Sequence, residues 1–389
     1  MKVAMRIKVV KRIIGKRKRV AATEEERIYV ASQWLLMWWR FRKHKVALVS
    51  GMLIILFYLV ALFCEFVAPY NPYEYNAKFR YAPPQIIRFV DDEGQFHLRP
   101  FVYGLKRERD PETMRIRYTE DRTKKHFIRF FTRGPKYKLW GRFELNIHLI
   151  GLGENPDGGT LFLLGTDRMG RDMFSRIVYG TRISLSIGLV GVAVSLILGI
   201  ILGGISGYYG GTFDLIIQRI IEFLRSIPSI PLWMGLAAAL PPEWSPVRVY
   251  FAITVILSLR GWTGLAREVR GRFLALREED FVLAARLAGA SEMRIIMRHM
   301  VPSFLSHIIA SMTLAIPDMI LSETSLSFLG LGLRPPVISW GVLLQECQNV
   351  RSVALAPWLL LPGAAVVTAV LAFNFLGDGL RDAADPYAK

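Results

Sequence analysis

Long apolar segments recur along this chain, and each is long enough to cross a membrane as a helix. The first covers residues 46–68, and five more follow at about 183–208, 214–240, 247–265, 303–326 and 355–375. A helix of about 20 apolar residues spans the roughly 30 Å hydrocarbon core of a bilayer. The sequence therefore predicts an all-α polytopic membrane protein with six transmembrane helices.

Charge is segregated from these apolar segments. The 389 residues carry a formal net charge of +18 although 52% of them are hydrophobic. Basic residues crowd positions 1–45, 78–142 and 260–298. Such segregation is typical of membrane proteins, so we expect no nucleic-acid partner. The cationic cluster before the first span predicts a cytoplasmic N-terminus, and six crossings then return the C-terminus to the cytoplasm.

Residues 1–45 form a basic cytoplasmic tail that ends in an amphipathic segment. Four apolar side chains of this segment are Trp34, Leu35, Trp38 and Trp39, and four basic ones are Arg40, Arg42, Lys43 and Lys45. Rings at headgroup depth with cations towards anionic lipid are typical of a helix lying in the membrane interface. A solvated basic tail is the alternative.

Residues 69–164 form a polar insert between the first two spans. The turn signals DDEG (91–94) and RGP (133–135) each lie between short runs rich in strand-forming residues, a pattern typical of hairpins. The sequence predicts a small β-rich extracytoplasmic insert. Its many basic residues are compatible with that side because long translocated loops largely escape the positive-inside rule.

Small residues repeat at every fourth position of the second span. They are Gly191, Ser195, Gly199, Gly203, Gly207 and Gly211. On a helix they share one face, which lets a neighbouring backbone approach closely; generic glycine enrichment in membrane helices is the alternative. Prolines mark other spans: Pro228 and Pro231 should kink the third, and Pro317 should break the fifth.

A polar, basic loop at about 266–302 joins the fourth and fifth spans on the predicted cytoplasmic side. Asp280 can cap a first short helix, Gly289 permits a left-handed turn, and Ser291 can cap a second helix. Pro302 should separate that helix from the fifth span. The resulting helix–turn–helix suits the groove of a partner, although a loop without a partner is equally open on these grounds. The small side chains of Ala284, Ala285 and Ala288 would let a partner approach its backbone closely.

This loop resembles the EAA loop of ATP-binding-cassette (ABC) importer permeases, whose pattern is Glu-Ala-Ala, three residues, Gly, nine residues, Ile, one residue, Leu-Pro. Leu283, His299 and Val301 stand where that family has Glu, Ile and Leu. The resemblance implies that the loop contacts an ATPase through Ala284, Ala285, Arg286, Gly289, Ala290, Ser291 and Pro302.

Three further stretches resemble the dipeptide, oligopeptide and nickel permease family, in particular the C partner of its B/C pair. They are LGTDRMGRDMFSRIVYGTRISL (164–185), ETSLSFLGLGLRPPVISWG (323–341) and LGDGLRDAADP (376–386). The resemblance covers about 46–70 and 164–387. It implies the type I ABC importer permease fold, with residues 165–389 as a five-helix permease core.

The resemblance also implies a function and partners. The chain would form half of a pore for peptides in a bacterial or archaeal inner membrane, beside a second homologous permease. Two cytoplasmic ATPase subunits would bind ATP and Mg²⁺, and an extracytoplasmic binding protein would deliver the cargo. This chain has no Walker sequence, so we expect it to hold no cofactor and to catalyse no reaction. Oligosaccharide import is the alternative, followed by a stand-alone channel, a secondary transporter and a membrane-embedded enzyme.

Asp318 and Glu323 are candidate pore-lining residues because they lie near membrane depth on the fifth span. Ionisable groups there usually face a cavity or pair with a cation. Glu323 could instead hold the outer end of the span by hydrogen bonding to the next loop.

Other polar residues are expected to be structural. No metal site is predicted, and His299 and His307 lack a completing ligand set. Arg219 and Glu222 should form an ion pair. In GTDRMGRD, Asp167 and Asp172 should cap and orient a short amphipathic helix before the second span. Cys64 and Cys347 predict no disulfide framework.

Overall fold

The structure is a computed structural model, and it describes residues 33–112, 116–153 and 159–384. Its α-helices are α1 (Gln33–Phe41), α2 (Lys45–Leu62), α3 (Cys64–Val67), α4 (Met173–Tyr209), α5 (Gly211–Ser226), α6 (Ser229–Ala238), α7 (Pro246–Leu276), α8 (Asp280–Leu287), α9 (Glu292–Arg294), α10 (Val301–Ser303), α11 (Leu305–Phe328), α12 (Trp340–Leu344), α13 (Val350–Leu355) and α14 (Leu361–Ala384). Its strands are β1 (Arg88–Val90), β2 (Phe96–Arg109), β3 (Ile116–Phe127), β4 (Arg129–Leu139) and β5 (Phe143–Gly151). A π-helical turn, Ile295–Met300, joins α9 to α10, and three 3₁₀ turns cover Ala77–Phe79, Gln345–Gln348 and Pro357–Leu360.

Within the described residues, five helical segments are long and apolar enough to cross a membrane: α2, α4, α7, α11, and α14 with the 3₁₀ turn before it. The pair α5 and α6 meets the same test as one span, although the two helices are bent by 88°. The predicted fold class, a mostly helical membrane protein with a small β-sheet region, is confirmed.

Helices α4 and α7 run parallel to each other. Near the start of α7, the Tyr250 hydroxyl donates to Ser186 Oγ in the first half of α4, at 3.0 Å. Near their last turns, a Cβ added to Gly207 would lie 2.6 Å from the Cβ of Phe273. Because parallel neighbours start at the same end of a bundle, the chain between them must return from one end to the other.

The bent pair α5–α6 makes this return. Asp214 at its start contacts Arg270 near the end of α7, at 2.6 Å. Midway, the Arg260 guanidinium donates to the carbonyl of Ile227 at 2.7 Å. The end of α6 lies beside the start of α7. The pair is therefore a broken crossing, which makes six crossings within the described residues.

Proline places the break. Ile227 is extended, with φ −85° and ψ 129°, as expected for a residue before proline. Pro228 stands at the N-cap of α6 and cannot continue α5. The predicted kink is thus a complete break, whereas Pro231 lies in the first turn of α6, where proline is tolerated.

Several predicted boundaries differ from the structure. Pro317 lies inside a continuous α11 rather than at a break, and neighbouring helices commonly hold a proline-containing membrane helix together. Helix α7 continues to Leu276, so the first part of the predicted loop belongs to it. No separate amphipathic helix precedes the second span in the described residues, because Asp172 directly caps α4 by accepting from Ser175 N at 2.7 Å.

The main core lies where the helices meet at the insert end of the bundle. Trp340 of α12 is fully buried there. Its backbone N–H donates to Ser184 Oγ at 3.0 Å and its indole N–H to the carbonyl of Ile177 at 3.2 Å. Phe57 of α2 meets the same ring edge-on at 6.0 Å. Burial of this large ring fixes α2, α4 and α12 together.

The insert contains two antiparallel sheets, β1–β2–β3 and β4–β5. The DDEG turn is confirmed: Asp91 accepts from Gln95 N at 2.9 Å, and Gly94 has φ +79°. The RGP turn is wrong, because Gly134 and Pro135 lie inside β4 at a shift of register. Proline is tolerated at such irregularities, and the actual turn is at Gly141, with φ +72°.

Both described ends of the chain lie at the end of the bundle opposite the insert. Ala47 of α2 packs against Gly379 of α14, and His44 lies 3.2 Å from Asp382. The predicted interfacial segment forms the helix α1, with Trp38 exposed and Met37 buried. Residues 1–32, most of the predicted basic tail, lie outside the described residues.

Candidate functional site

The loop that joins α7 to α11, residues 277–304, projects from the end of the bundle opposite the insert and is called the knob below. Helix α8 ends in a Schellman motif: Ala290 N donates to the carbonyl of Ala285 at 3.1 Å and Gly289 N to that of Arg286 at 3.0 Å. Gly289 has φ +75°, so the predicted left-handed turn is confirmed. The turn fixes the angle between α8 and α9.

The knob is anchored by buried apolar side chains. Val282, Ile295 and Met300 are fully buried. They form one cluster with Tyr208, Val269, Phe273, Phe304 and Ile308. In addition, the Tyr209 hydroxyl at the end of α4 donates to Glu292 Oε2 at 2.8 Å. Any force on the knob is therefore passed to α4, α7 and α11 through close contacts.

The exposed surface of the knob includes several large apolar side chains. Leu287 is 90% exposed and Met293 is 68% exposed. The exposed apolar side chains of the knob are Phe281, Leu283, Leu287, Met293 and Met297. Sequence reasoning found the small residues Ala284 and Ala288, which are also exposed, but missed these large ones. The four-residue spacing of Leu283 and Leu287 was the available signal.

Other predicted loop residues occupy somewhat different places. Arg286 is exposed and Ala290 is half-buried. Ser291 stands at the N-cap of α9, but no backbone N–H of the described chain bonds its hydroxyl. Asp280 is the first residue of α8 rather than its cap. Pro302 does not itself end the helix, because it lies in the first turn of the short α10, where proline is tolerated. The separation from α11 comes two residues later, at Phe304.

The predicted packing glycines of α4 face either α7 or α11. A Cβ added to Gly199 would lie 2.9 Å from the side chain of Leu265, and one added to Gly191 would lie 2.9 Å from Met319 of α11. Gly203 and Gly207 lie against the backbone of α7. Gly211 falls outside α4 and begins α5, with φ +54°.

An ion pair that sequence reasoning missed ties α5 to α7 beside the knob. Arg270 donates to both carboxylate oxygens of Asp214, at 2.6 Å each. Ser206 also donates to Asp214, and Gln218 donates to Ser206 at 3.2 Å. The predicted pair Arg219–Glu222 is confirmed at 2.7 Å, but it lies within α5 and joins no second element.

The two candidate acidic residues lie in different surroundings. Asp318 lines a cleft of about 380 Å³. Its other polar lining residues are Ser195, Glu268, His307, Ser311 and Arg381. Glu323 is 0% exposed, and it accepts from Ser339 at 2.7 Å and from Ser327 at 2.8 Å.

At the insert end, the GTDRMGRD segment forms a buried polar network. Asp167 accepts from Arg171 at 2.7 Å and also contacts Arg176 of α4. Burial raises the pKa of Asp172 to about 7. Glu346 accepts from Arg168 N at 3.1 Å, which ties this segment to the loop after α12.

The fold and these sites define a transport subunit of a membrane complex. Residues 195–389 match the family model described as "Binding-protein-dependent transport system inner membrane component". Residues 32–84 match "N-terminal TM domain of oligopeptide transport permease C". The chain belongs to the family of binding-protein-dependent transport system inner membrane components, and within it to the dipeptide and oligopeptide permeases, as the four motifs predict.

Individual relatives agree with this assignment. The chain is 40% identical over 224 residues to the dipeptide transport system permease protein DppC of Bacillus subtilis (strain 168), a match that covers 57% of this chain and 68% of the relative. It is 38% identical over 223 residues to the oligopeptide transport system permease protein OppC of the same organism, covering 57% and 70%. A solved structure of the MetNI methionine ABC transporter, in inward-facing conformation, is 18% identical with a TM-score of 0.41, covering 54% of this chain and 97% of that chain.

Family membership fixes the general role. The chain is a multi-pass, non-catalytic permease subunit of an ABC transporter. A component of a binding-protein-dependent system works with an ATPase and a binding protein.

Proposed function

We propose that this chain forms half of the translocation path of an importer for dipeptides and oligopeptides, beside a second, homologous permease subunit. The named relatives support this cargo, since they are dipeptide and oligopeptide transport permeases. Two cytoplasmic ATPase subunits bind ATP and Mg²⁺, and one of them engages this chain.

The observation that carries the proposal is the anchored knob with its exposed apolar side. An isolated exposed leucine needs no explanation, but a rigid group of five large apolar side chains suits the groove of a partner. A fully buried leucine gains about 1.5–3 kcal/mol relative to an exposed one, so Leu287 alone can contribute strongly to docking. Leu283, which replaces the family's Glu, is also exposed, at 39%.

The knob converts movement of the ATPase into movement of the helices. Closure of the ATPase displaces α8, and the buried contacts of Val282 and Ile295 pass the displacement to the ends of α4 and α7. Rigid-body shifts between two packed arrangements are a common basis of such switching. No reaction at the permease itself is required.

The same proposal assigns each element to the cytoplasmic or the outer side of the membrane. The knob and both described ends of the chain lie at one end of the bundle, which we assign to the cytoplasm. The insert then lies on the outer side of the membrane. Asp318 faces the translocation path through its cleft, whereas Glu323 holds the loop that contains Ser339.

Leu287→Asp tests the docking step. We expect ATP-driven peptide uptake to fall to background, because a charged group replaces the most exposed apolar side chain of the knob. Leu98→Asp is the matched control, since Leu98 is 87% exposed on the insert and should leave uptake unchanged. Normal uptake by Leu287→Asp would contradict the proposal.

The cargo has its own test. Purified cognate binding protein is screened with dipeptides, oligopeptides and oligosaccharides, and uptake of each bound class is measured in vesicles with the whole transporter. We expect peptides alone to bind and to be transported. Uptake of oligosaccharides instead would overturn the cargo and leave the docking mechanism intact.

A further inference from the structure

The hairpin β4–β5 folds back along the end of the first span. A ring nitrogen of His148 in β5 lies 2.6 Å from the carbonyl oxygen of Ala68, just after α3. At the tip of the hairpin, the Trp140 indole N–H donates to the carbonyl of Leu62, the last residue of α2, at 2.8 Å. The Trp140 ring also lies 5.8 Å from that of Phe63. The hairpin tip therefore points towards the membrane.

The length of α2 places this tip at the membrane boundary. Its 18 residues rise about 27 Å at 1.5 Å per residue, close to the roughly 30 Å thickness of the hydrocarbon core. If Lys45 lies at the inner boundary, Leu62 lies at the outer one. The Trp140 ring, bonded to Leu62, is then at the level where headgroups meet acyl chains.

The residues at the tip of the hairpin are of the types found where headgroups meet acyl chains. Trp140 is 49% exposed, and tryptophan is enriched at membrane–water interfaces. Further exposed apolar side chains are Phe130 and Phe131 at the base of the hairpin, and Phe143, Leu145 and Ile147 on the strand that leaves the tip. Along β5, the last three alternate with Glu144, Asn146 and the buried His148, so they share one face.

Cations flank the apolar tip. Lys136 and Lys138 precede it and Arg142 lies in the turn, and all three are exposed. Lys138 also lies 3.7 Å from Glu144 in an exposed ion pair. Lysine and arginine near apolar surface keep their charged ends at headgroup level, where phosphate groups are available. The β1–β2 hairpin differs, because its turn carries Asp91, Asp92 and Glu93, which anionic headgroups would repel.

We propose that the β4–β5 hairpin is a membrane-docking element of the insert, with its tip embedded in the outer leaflet and its cations on phospholipid phosphates. This attaches one sheet of the insert to the bilayer beside the first span. The β1–β2–β3 sheet remains in water.

Spin labels on single cysteines test this in the whole transporter, reconstituted in nanodiscs that contain anionic phospholipid. In a background with Cys64→Ala and Cys347→Ser, one variant carries Phe143→Cys and a control carries Phe96→Cys next to the acidic turn. Collision with lipid-soluble oxygen and with a water-soluble nickel chelate is measured at each label. At position 143 we expect the label to collide mainly with oxygen. Its collision rate with the nickel chelate should be several-fold lower than that of the label at position 96.

Two outcomes would overturn the proposal. Nickel contact at position 143 equal to that at position 96 would place the hairpin in water. Low contact with both reagents would show that a protein partner covers the tip. Leu145→Cys, on the same face, repeats the measurement if the Phe143→Cys protein does not fold.

Discussion

At the scale of single residues, Asp318 and Glu323 show how surroundings separate two carboxylates five positions apart. Glu323 is enclosed by three serines, two of which donate to it within 2.8 Å, and the third, Ser184, lies 3.5 Å away. Asp318 lines an open cleft. The first arrangement holds Glu323 in a structural hydrogen-bond network, whereas the second leaves Asp318 on the cleft that we propose belongs to the translocation path.

Substitution separates these two roles. Glu323→Ala should lower stability by about 1–3 kcal/mol, because buried hydroxyls lose their acceptor. Asp318→Asn should leave the melting temperature unchanged and reduce peptide uptake. Thermal melting of the purified subunit and vesicle uptake measure the two effects. Unchanged uptake by Asp318→Asn in a normally assembled complex would remove its role in the path.

Asp91 makes the insert sensitive to acid. Hydrogen bonds from Lys125 and His97 hold the pKa of Asp91 below its ordinary value of 3.8. A carboxylate with a lowered pKa in the folded state stabilises the fold above its unfolded pKa, and this stability is lost as pH falls through the folded pKa. The Asp91 contribution is thus complete at neutral pH and declines below about pH 4.

Asp91→Asn should therefore lower the melting temperature at pH 7, and the difference from the unsubstituted protein should shrink as the pH falls below about 4. Melting curves over a pH series measure it. Asp92→Asn, in the same turn, is the control. A difference that is constant with pH would show that Asp91 acts only through its neutral hydrogen bonds.

At the scale of elements, the pairing of α4 with α7 depends on glycine. A Cβ on Gly207 would meet the Phe273 Cβ at 2.6 Å and the Arg270 carbonyl at 2.7 Å, and a backbone atom cannot move aside as a side chain can. The same interface positions the knob, because Phe273 also packs on Val282.

Gly207→Ala should destabilise the subunit by about 1–3 kcal/mol or more, the usual cost of overpacking. Gly271→Ala is the matched control, because a Cβ there meets nothing within 4 Å. That control should be neutral or should stabilise α7 by about 0.5–1 kcal/mol. Equal melting temperatures for the two variants would contradict the close approach.

At the scale of the whole molecule, the parallel arrangement of α4 and α7 decides the topology. It requires the broken pair α5–α6 to cross the bundle, and it therefore puts the knob and the insert at opposite ends. If α5–α6 instead entered and left the membrane on the same side, the knob and the insert would lie on the same side of the membrane.

Cysteine labelling in intact cells measures this directly. A membrane-impermeant maleimide should label Leu98→Cys from outside. It should reach Glu278→Cys, an exposed position of the knob outside the apolar group, only after the membrane is permeabilised. Both variants are made with Cys64→Ala and Cys347→Ser. Labelling of both positions in intact cells would place the knob outside and exclude contact with a cytoplasmic ATPase.

Local patterns determined much of this protein. Hydropathy alone located the membrane segments, and Gly94 and Gly289 marked turns because their positive φ angles are a property of the local backbone. The four family motifs gave the class of protein. The RGP signal failed because the pairing of β4 with β5 outweighs the local turn preference of Gly134 and Pro135.

Only the tertiary structure decided which faces meet. The Asp214–Arg270 pair joins residues 56 positions apart, Glu323 is enclosed by serines of three segments, and Trp140 reaches back 78 positions to Leu62. No local pattern encodes these contacts, because each depends on how distant helices and strands pack. The same packing leaves Leu287 exposed while Val282 is buried, and that difference forms the surface that we propose docks on the ATPase.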